Sequence, residues 1–194
     1  AGRPYIEDEI DGFTFRISSK SFYQVNPIQT RVLYEQALAH CELSGDEQVL
    51  DLYCGVGTIS MFLARHAAKV TGIEIVPDAI RNAKENAARN AFDNLEFICS
   101  DAAAYADRLA AEGSKPDVIC VDPPRKGCAK SVLEDIARMA PKRIVYVSCD
   151  PGTLARDLRI LDELGYETVS VQPVDMFPQT SGVETVCLMS RKEK

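Results

Sequence analysis

The chain has 194 residues, 46% of them hydrophobic and 26% charged, with a net charge of −7. This length suits one domain with a sizeable core, and the composition excludes a disordered or fibrous polymer. The acidic balance speaks against a uniformly basic nucleic-acid binder, and no apolar run approaches the roughly 18 residues of a membrane helix.

Ala1-Gly2-Arg3-Pro4 does not read as a secretory leader. With no methionine at its start, the chain reads as a piece of a longer protein. Cys41, Cys54, Cys99, Cys120, Cys128, Cys149 and Cys187 stand singly, with no C-x-x-C pair, so no metal site is expected. Lone thiols suit a reducing, cytoplasmic compartment. The two histidines, His40 and His66, offer little for histidine-based catalysis.

Ile6, Ile10, Phe13, Phe15 and Ile17 flank the turn signal Asp11-Gly12, which predicts a hairpin. Asn26-Pro27 then opens a helix carrying Ile28, Val32, Leu33, Ala37 and Leu38 at helical spacing. From Gln48 short apolar runs alternate with helices. The runs are Val49–Leu52, Val70–Glu74, Leu95–Ile98, Val118–Val121 and Ile144–Val147, with two further strands near 166–174 and 184–190. Helices are expected after Thr58, from Pro77 toward Asn90, over 102–112, near 131–140, and from Pro151 to a stop at Gly165. This is the pattern of βαβ units in a mostly parallel sheet covered on both faces. The expected boundary lies near residue 24, with 1–24 a hairpin or linker remnant and 25–194 the α/β unit.

Ligands on such sheets sit beyond the carboxyl ends of the strands, so the loops there carry the argument. The first is Asp51-Leu52-Tyr53-Cys54-Gly55-Val56-Gly57-Thr58. Gly55 and Gly57 allow close backbone approach at a helix start. Ser60 stands where a dinucleotide fingerprint needs glycine, and no lysine follows, so neither a pyrophosphate loop nor a P-loop is indicated. Asp51 favours a cationic nucleoside over a dinucleotide. Glu74 is placed to bind ribose hydroxyls. Asp101 is placed for an adenine amino group, or as a helix cap. Asp122-Pro123-Pro124-Arg125 is a stiff acidic loop, and Arg125, Lys126 and Lys130 form a small basic group suited to phosphate. Cys149 precedes a helix start, which is expected to lower its thiol pKa, with Asp150 opposing. Cys120, inside an apolar run, reads as core.

Five of these segments in order resemble the RNA uracil-5-methyltransferases, with the 23S ribosomal-RNA branch the nearer match. Phe22-Tyr23-Gln24-Val25-Asn26 is similar to the family's F-x-Q-V-N, and Asp51 to Thr58 to its cofactor loop. Asp122 to Arg125 resembles its D-P-P-R loop, Ser148-Cys149-Asp150-Pro151 its nucleophile motif, and Met176-Phe177-Pro178 with Glu184 its terminal base motif. Asp150 departs from the family's usual asparagine, and Gln179, Ser181 and Gly182 stand where histidines are frequent.

The resemblance implies a class I methyltransferase fold: a Rossmann-like, doubly wound, mostly parallel seven-stranded sheet with an antiparallel C-terminal strand. It implies S-adenosyl-L-methionine as cofactor, RNA as partner, and methylation of uridine C5 with Cys149 as nucleophile and Glu184 as general base. Gln24, Asp51, Tyr53, Gly55, Gly57, Thr58, Glu74, Asp101 and Asp122 are the implied cofactor contacts. Gln24, Asp122 and Arg125 are the implied substrate contacts. Family members carry an OB-like RNA-binding domain, which nothing here matches, so that domain is expected to be missing from an otherwise monomeric protein. The rival readings are a methyltransferase for transfer-RNA uridine, cytosine, protein or a small molecule, and a cofactor-binding module without chemistry.

Overall fold

The computed structural model describes residues 2–3, 5–19 and 21–193. Strands β1 (Tyr5–Ile10) and β2 (Phe13–Ser18) form an antiparallel hairpin. Asp11 and Gly12 both turn at positive φ, 51° and 81°, the twist a tight hairpin favours.

Helix α1 (Pro27–Cys41) follows, capped by Asn26, whose Oδ1 accepts the Gln29 N–H at 3.2 Å. The alternating region runs β3 (Gln48–Leu52), α2 (Thr58–Ala64), β4 (Lys69–Glu74), α3 (Pro77–Arg89), β5 (Leu95–Cys99) and α4 (Ala102–Ala111). It continues through β6 (Val118–Val121), α5 (Lys130–Met139), β7 (Arg143–Ser148) and α6 (Pro151–Glu163) to β8 (Tyr166–Val174) and β9 (Glu184–Arg191). Proline at the first turn of α1, α3 and α6 sets these starts, because its missing N–H is one that no helix start uses.

The strands from β3 onward form one seven-stranded sheet in the order β5-β4-β3-β6-β7-β9-β8. All neighbours are parallel except β9, which runs against both β7 and β8. This is the expected doubly wound α/β fold with its one antiparallel strand. Two cores explain why both sheet faces are apolar. Val49, Val118, Cys120, Val145 and Val147 point to the face covered by α1 and α2. Leu50, Leu52, Ile119, Val121, Ile144 and Tyr146 point to the face covered by α4, α5 and α6. The alternation is the strand period of two.

The hairpin packs on the first of these cores through Ile10, Phe13, Phe15 and Ile17. Helix α3 also grips it in a strand-like way. Asn86 accepts the Arg16 N–H at 2.7 Å and donates to the Arg16 carbonyl at 3.1 Å. One turn on, Asn90 accepts the Thr14 N–H at 3.0 Å and donates to its carbonyl at 2.9 Å. Two asparagines thereby satisfy backbone groups on the free edge of β2.

Candidate functional site

The parallel strand order brings the loops after β3, β4, β5, β6 and β7 to one edge of the sheet. The reversed β9 adds its own beginning to that edge. Three clusters of the expected residues meet there.

The first surrounds the glycine loop. Asp51 is fully buried, on the sheet face toward α2, by the same alternation as Val49. Its Oδ2 accepts the Ser60 hydroxyl at 2.5 Å, while its Oδ1 has no partner in the protein. Burial, with Glu74 nearby, pushes this carboxyl up to about 7. Glu74 closes the far side, accepting the Gly55 N–H at 3.3 Å and the Val76 N–H at 2.9 Å. Gly57 takes a φ of +82°, and a Cβ there would lie 2.7 Å from the Phe97 ring. Thr58 is buried and donates to the Tyr34 hydroxyl at 3.1 Å. Tyr53, half-buried at a φ of +69°, leans on the second core. Asp101 caps α4 with Oδ1 alone, at 2.9 and 3.0 Å from the Ala103 and Ala104 N–H groups.

The second cluster joins β6, β7 and β9. The β7–β9 ladder ends at Ser148 opposite Thr185, so Cys149 and Glu184 follow as the next opposed positions. Glu184 is buried, and Cys149 and Asp122 are half-buried. Burial raises the Asp122 carboxyl well above the usual range, and Glu184 and Asp51 raise it further. Burial also raises Glu184, with Arg125 opposing. For Cys149 the sequence expectation is reversed: burial first, then Glu184 and Asp122, hold the thiol above its ordinary value, and only Arg125 and a backbone bond pull it down. Asp150 takes the helix start for itself. It caps α6 by accepting the Thr153 N–H at 2.8 Å, so a carboxylate already occupies that helix start.

The third cluster ties the early and late motifs together. Asn26 donates from Nδ2 to the Met176 carbonyl at 3.1 Å. This bond joins the segment holding buried Gln24 to the Met176-Phe177-Pro178 turn that leads into Glu184. Arg125 and Lys126 on the loop after β6, and Lys130 at the start of α5, are exposed.

A family model for the tRNA (uracil-5-)-methyltransferases matches residues 5–192. The chain belongs to that family. Its relatives include an uncharacterized RNA methyltransferase of Clostridium acetobutylicum, 58% identical over 193 residues, covering 100% of this chain and 42% of the relative. Another, from Clostridium tetani, is 57% identical over 189 residues, covering 97% of this chain and 41% of the relative. The chain thus spans about two-fifths of the length of these relatives. Pyrococcus abyssi tRNA (uracil-54, C5)-methyltransferase, solved in complex with S-adenosyl-L-homocysteine, superposes with a TM-score of 0.84 at 33% identity, over 97% of this chain and 45% of that one. The M. jannaschii tRNA m1G37 methyltransferase shares the fold, with a TM-score of 0.74 at 17% identity over 100% of this chain and 59% of that one.

For a uracil-5-methyltransferase family member, the cofactor expectation can be tested on the glycine loop itself. The residues fit a cationic nucleoside: a buried carboxylate oxygen without a partner, a second carboxylate across the loop, and open space where Gly55 would carry a Cβ. Two participants were missed in the sequence. Ser60 reads there only as an absent glycine, yet it is the hydrogen-bond donor to Asp51. Tyr34 has no role in the sequence reading, yet the carboxylates of Asp122, Asp51 and Glu184 all bear on its hydroxyl.

Proposed function

We propose that this domain methylates C5 of uridine in RNA, with Cys149 as nucleophile and Glu184 as general base. The observation that carries this reading is that Cys149 directly follows β7 and Glu184 opens the adjacent antiparallel β9, close enough that Glu184, Asp122 and Arg125 all act on the thiol. Residues 25–194 are the catalytic unit in this reading, with 1–24 an adjoining piece of a longer protein.

C5 of uracil is a weak nucleophile. The Cys149 thiolate adds to C6, forming a C–S bond and moving the electron pair of the C5–C6 double bond into an enolate. S-Adenosylmethionine, when bound, supplies an electrophilic methyl group for C5. Glu184 then takes the C5 proton, the double bond re-forms, and the C6–S bond breaks with its electron pair returning to sulfur. A carboxylate raised by burial suits proton acceptance. Asp51, Tyr53, Gly55, Gly57, Thr58, Glu74 and Asp101 would hold the cofactor, and Gln24 and Asp122 would contact both cofactor and base. Arg125, with exposed Lys126 and Lys130, meets phosphate or the enolate oxygen. A base reaches such a recessed thiol only when flipped out of its stack.

Fluorine at C5 blocks the proton-removal step, so RNA containing 5-fluorouridine should form a covalent adduct through Cys149. A methyltransferase acting on protein, a small molecule or an exocyclic group gives no such adduct. The family model's name and the Pyrococcus abyssi neighbour point to transfer RNA and the motif resemblance to ribosomal RNA, and mapping 5-methyluridine in cells lacking the full-length protein decides between them.

A further inference from the structure

Helix α6 does more than follow Cys149. Its residues Thr153, Arg156 and Asp157 share one helix face by their spacing, and that face holds the 122–128 loop. The Asp157 carboxylate is fully buried. Its Oδ2 accepts the Tyr146 hydroxyl at 2.6 Å and the Cys128 N–H at 2.8 Å, and its Oδ1 accepts Arg156 Nε at 2.8 Å. Arg156 Nη2 donates to the Lys126 carbonyl at 2.9 Å, and Thr153 Oγ1 donates to the Arg125 carbonyl at 3.0 Å. Gly127 runs so near that a Cβ there would stand 2.5 Å from Asp157 Oδ2, at a φ of +72°. A buried carboxylate is costly, and an apolar side chain would fill the stripe between Leu154 and Leu161 at least as well.

We propose that Asp157 is a positioning residue: it pins the Arg125–Cys128 end of the loop to α6 and so fixes Arg125 relative to Cys149. The inference rests on the reading of Cys149 as nucleophile. The charged groups that act on that thiol are Glu184 from β9 and Asp122 and Arg125 from the loop, while the Asp150 carboxylate next in sequence is turned to the Thr153 N–H as the cap of α6. Asp122 stays tied to β3 through its N–H on the Leu52 carbonyl at 3.3 Å, whereas Arg125 is held from α6 by Thr153, so a loosened loop takes away the cation that favours thiolate and leaves the carboxylate that opposes it.

Two variants of the full-length protein test this. Asp157→Asn keeps the shape but leaves one acceptor oxygen for three donors. Thr153→Val removes the hydroxyl that bonds the Arg125 carbonyl at 3.0 Å and the Asp150 carbonyl at 3.2 Å, and keeps the N–H that Asp150 caps. The first readout is the pH midpoint of Cys149 alkylation by iodoacetamide, followed by peptide mass spectrometry, with exposed Cys99 as internal reference. In both variants the Cys149 midpoint rises, by about half a unit in Asp157→Asn, while that of Cys99 stays. The second readout is kinetic: kcat for RNA methylation falls about tenfold in Asp157→Asn, with KM for RNA and cofactor within about twofold. An unchanged Cys149 midpoint in the folded variants overturns the proposal, and if Asp157→Asn does not fold, Thr153→Val alone decides. Alkylation does not depend on substrate. A shifted midpoint in a protein that gives no 5-fluorouridine adduct therefore overturns the function and leaves the positioning role standing.

Discussion

Cys149 and Glu184 occupy the first opposed positions beyond the paired end of β7 and β9, each reached by its own strand. A nucleophile and a base set opposite one another in this way should separate by mutation. Cys149→Ala should abolish methyl transfer and leave cofactor affinity unchanged. Glu184→Gln should still attack and methylate, then accumulate the protein–RNA adduct, with turnover down roughly 10²–10⁴-fold. Radiolabelled methyl transfer and denaturing gels read both. Full turnover by Cys149→Ala would sink the covalent mechanism.

The charges around the thiol set the pH behaviour. Burial, Glu184 and Asp122 raise its pKa, so the thiolate fraction is small at neutral pH and activity should climb on the alkaline side. Arg125 works in the opposite sense. Arg125→Ala should therefore move the rising limb of kcat/KM to higher pH, and a limb at or below its wild-type position would contradict the assignment.

Asp51 makes a stability prediction with a definite sign. Its folded pKa is about 7, above the carboxylate value of an unfolded chain, so the folded state keeps a proton that the unfolded state has lost. The stabilisation from this group is complete below about pH 4 and is lost as pH rises through 7. Asp51→Asn cannot ionise. Without cofactor, it should gain on the wild type as pH rises across that window, with roughly 4 kcal/mol as the ceiling. Calorimetric melting curves that run parallel from pH 4 to 8 would contradict the burial argument.

The two ends of the glycine loop are sensitive to single atoms. Gly57→Ala places a methyl group 2.7 Å from Phe97 on a backbone at φ +82°. It should cost about 2 kcal/mol or more. Asn86→Ala removes the bonds to both backbone groups of Arg16, and a bond of 3.5 Å to the Val56 carbonyl inside the loop. It should cost about 2 kcal/mol and weaken cofactor binding as well, since hairpin and loop share that side chain. Denaturant midpoints and cofactor titration measure both effects. Unchanged cofactor affinity in Asn86→Ala would show that the hairpin and the loop are independent.

Much of this architecture is written in local signals. Asn26-Pro27, Pro77, Pro151 and Gly165 mark helix ends, and the unbroken apolar runs mark strands covered on both faces, so element boundaries follow closely from propensity. The strand-end residues are legible because topology forces them to one edge. Asp157 left a fainter trace. It lies three residues after Leu154 and four before Leu161, an acid inside an apolar stripe, and that spacing is a sign of a buried partner. Asn86 and Asn90 left none, because a polar residue on a helix reads as solvated until the strand it serves is in place. The Cys149 thiol was misjudged for a similar reason. The helix start is local and visible, whereas Glu184 and Asp122 reach it through pairing across the sheet.

The reversal of β9 also governs how the protein can fail. A ribosome finishes the glycine loop and the thiol well before it reaches Glu184, so a premature stop codon upstream of that residue leaves donor-side loops without their base. The same stop strips β7 of its neighbour, baring Ile144, Val145 and Val147 along an unpaired edge. Such a product should clump before it could sequester RNA in a dead-end bond, so quality control would remove it on folding grounds alone.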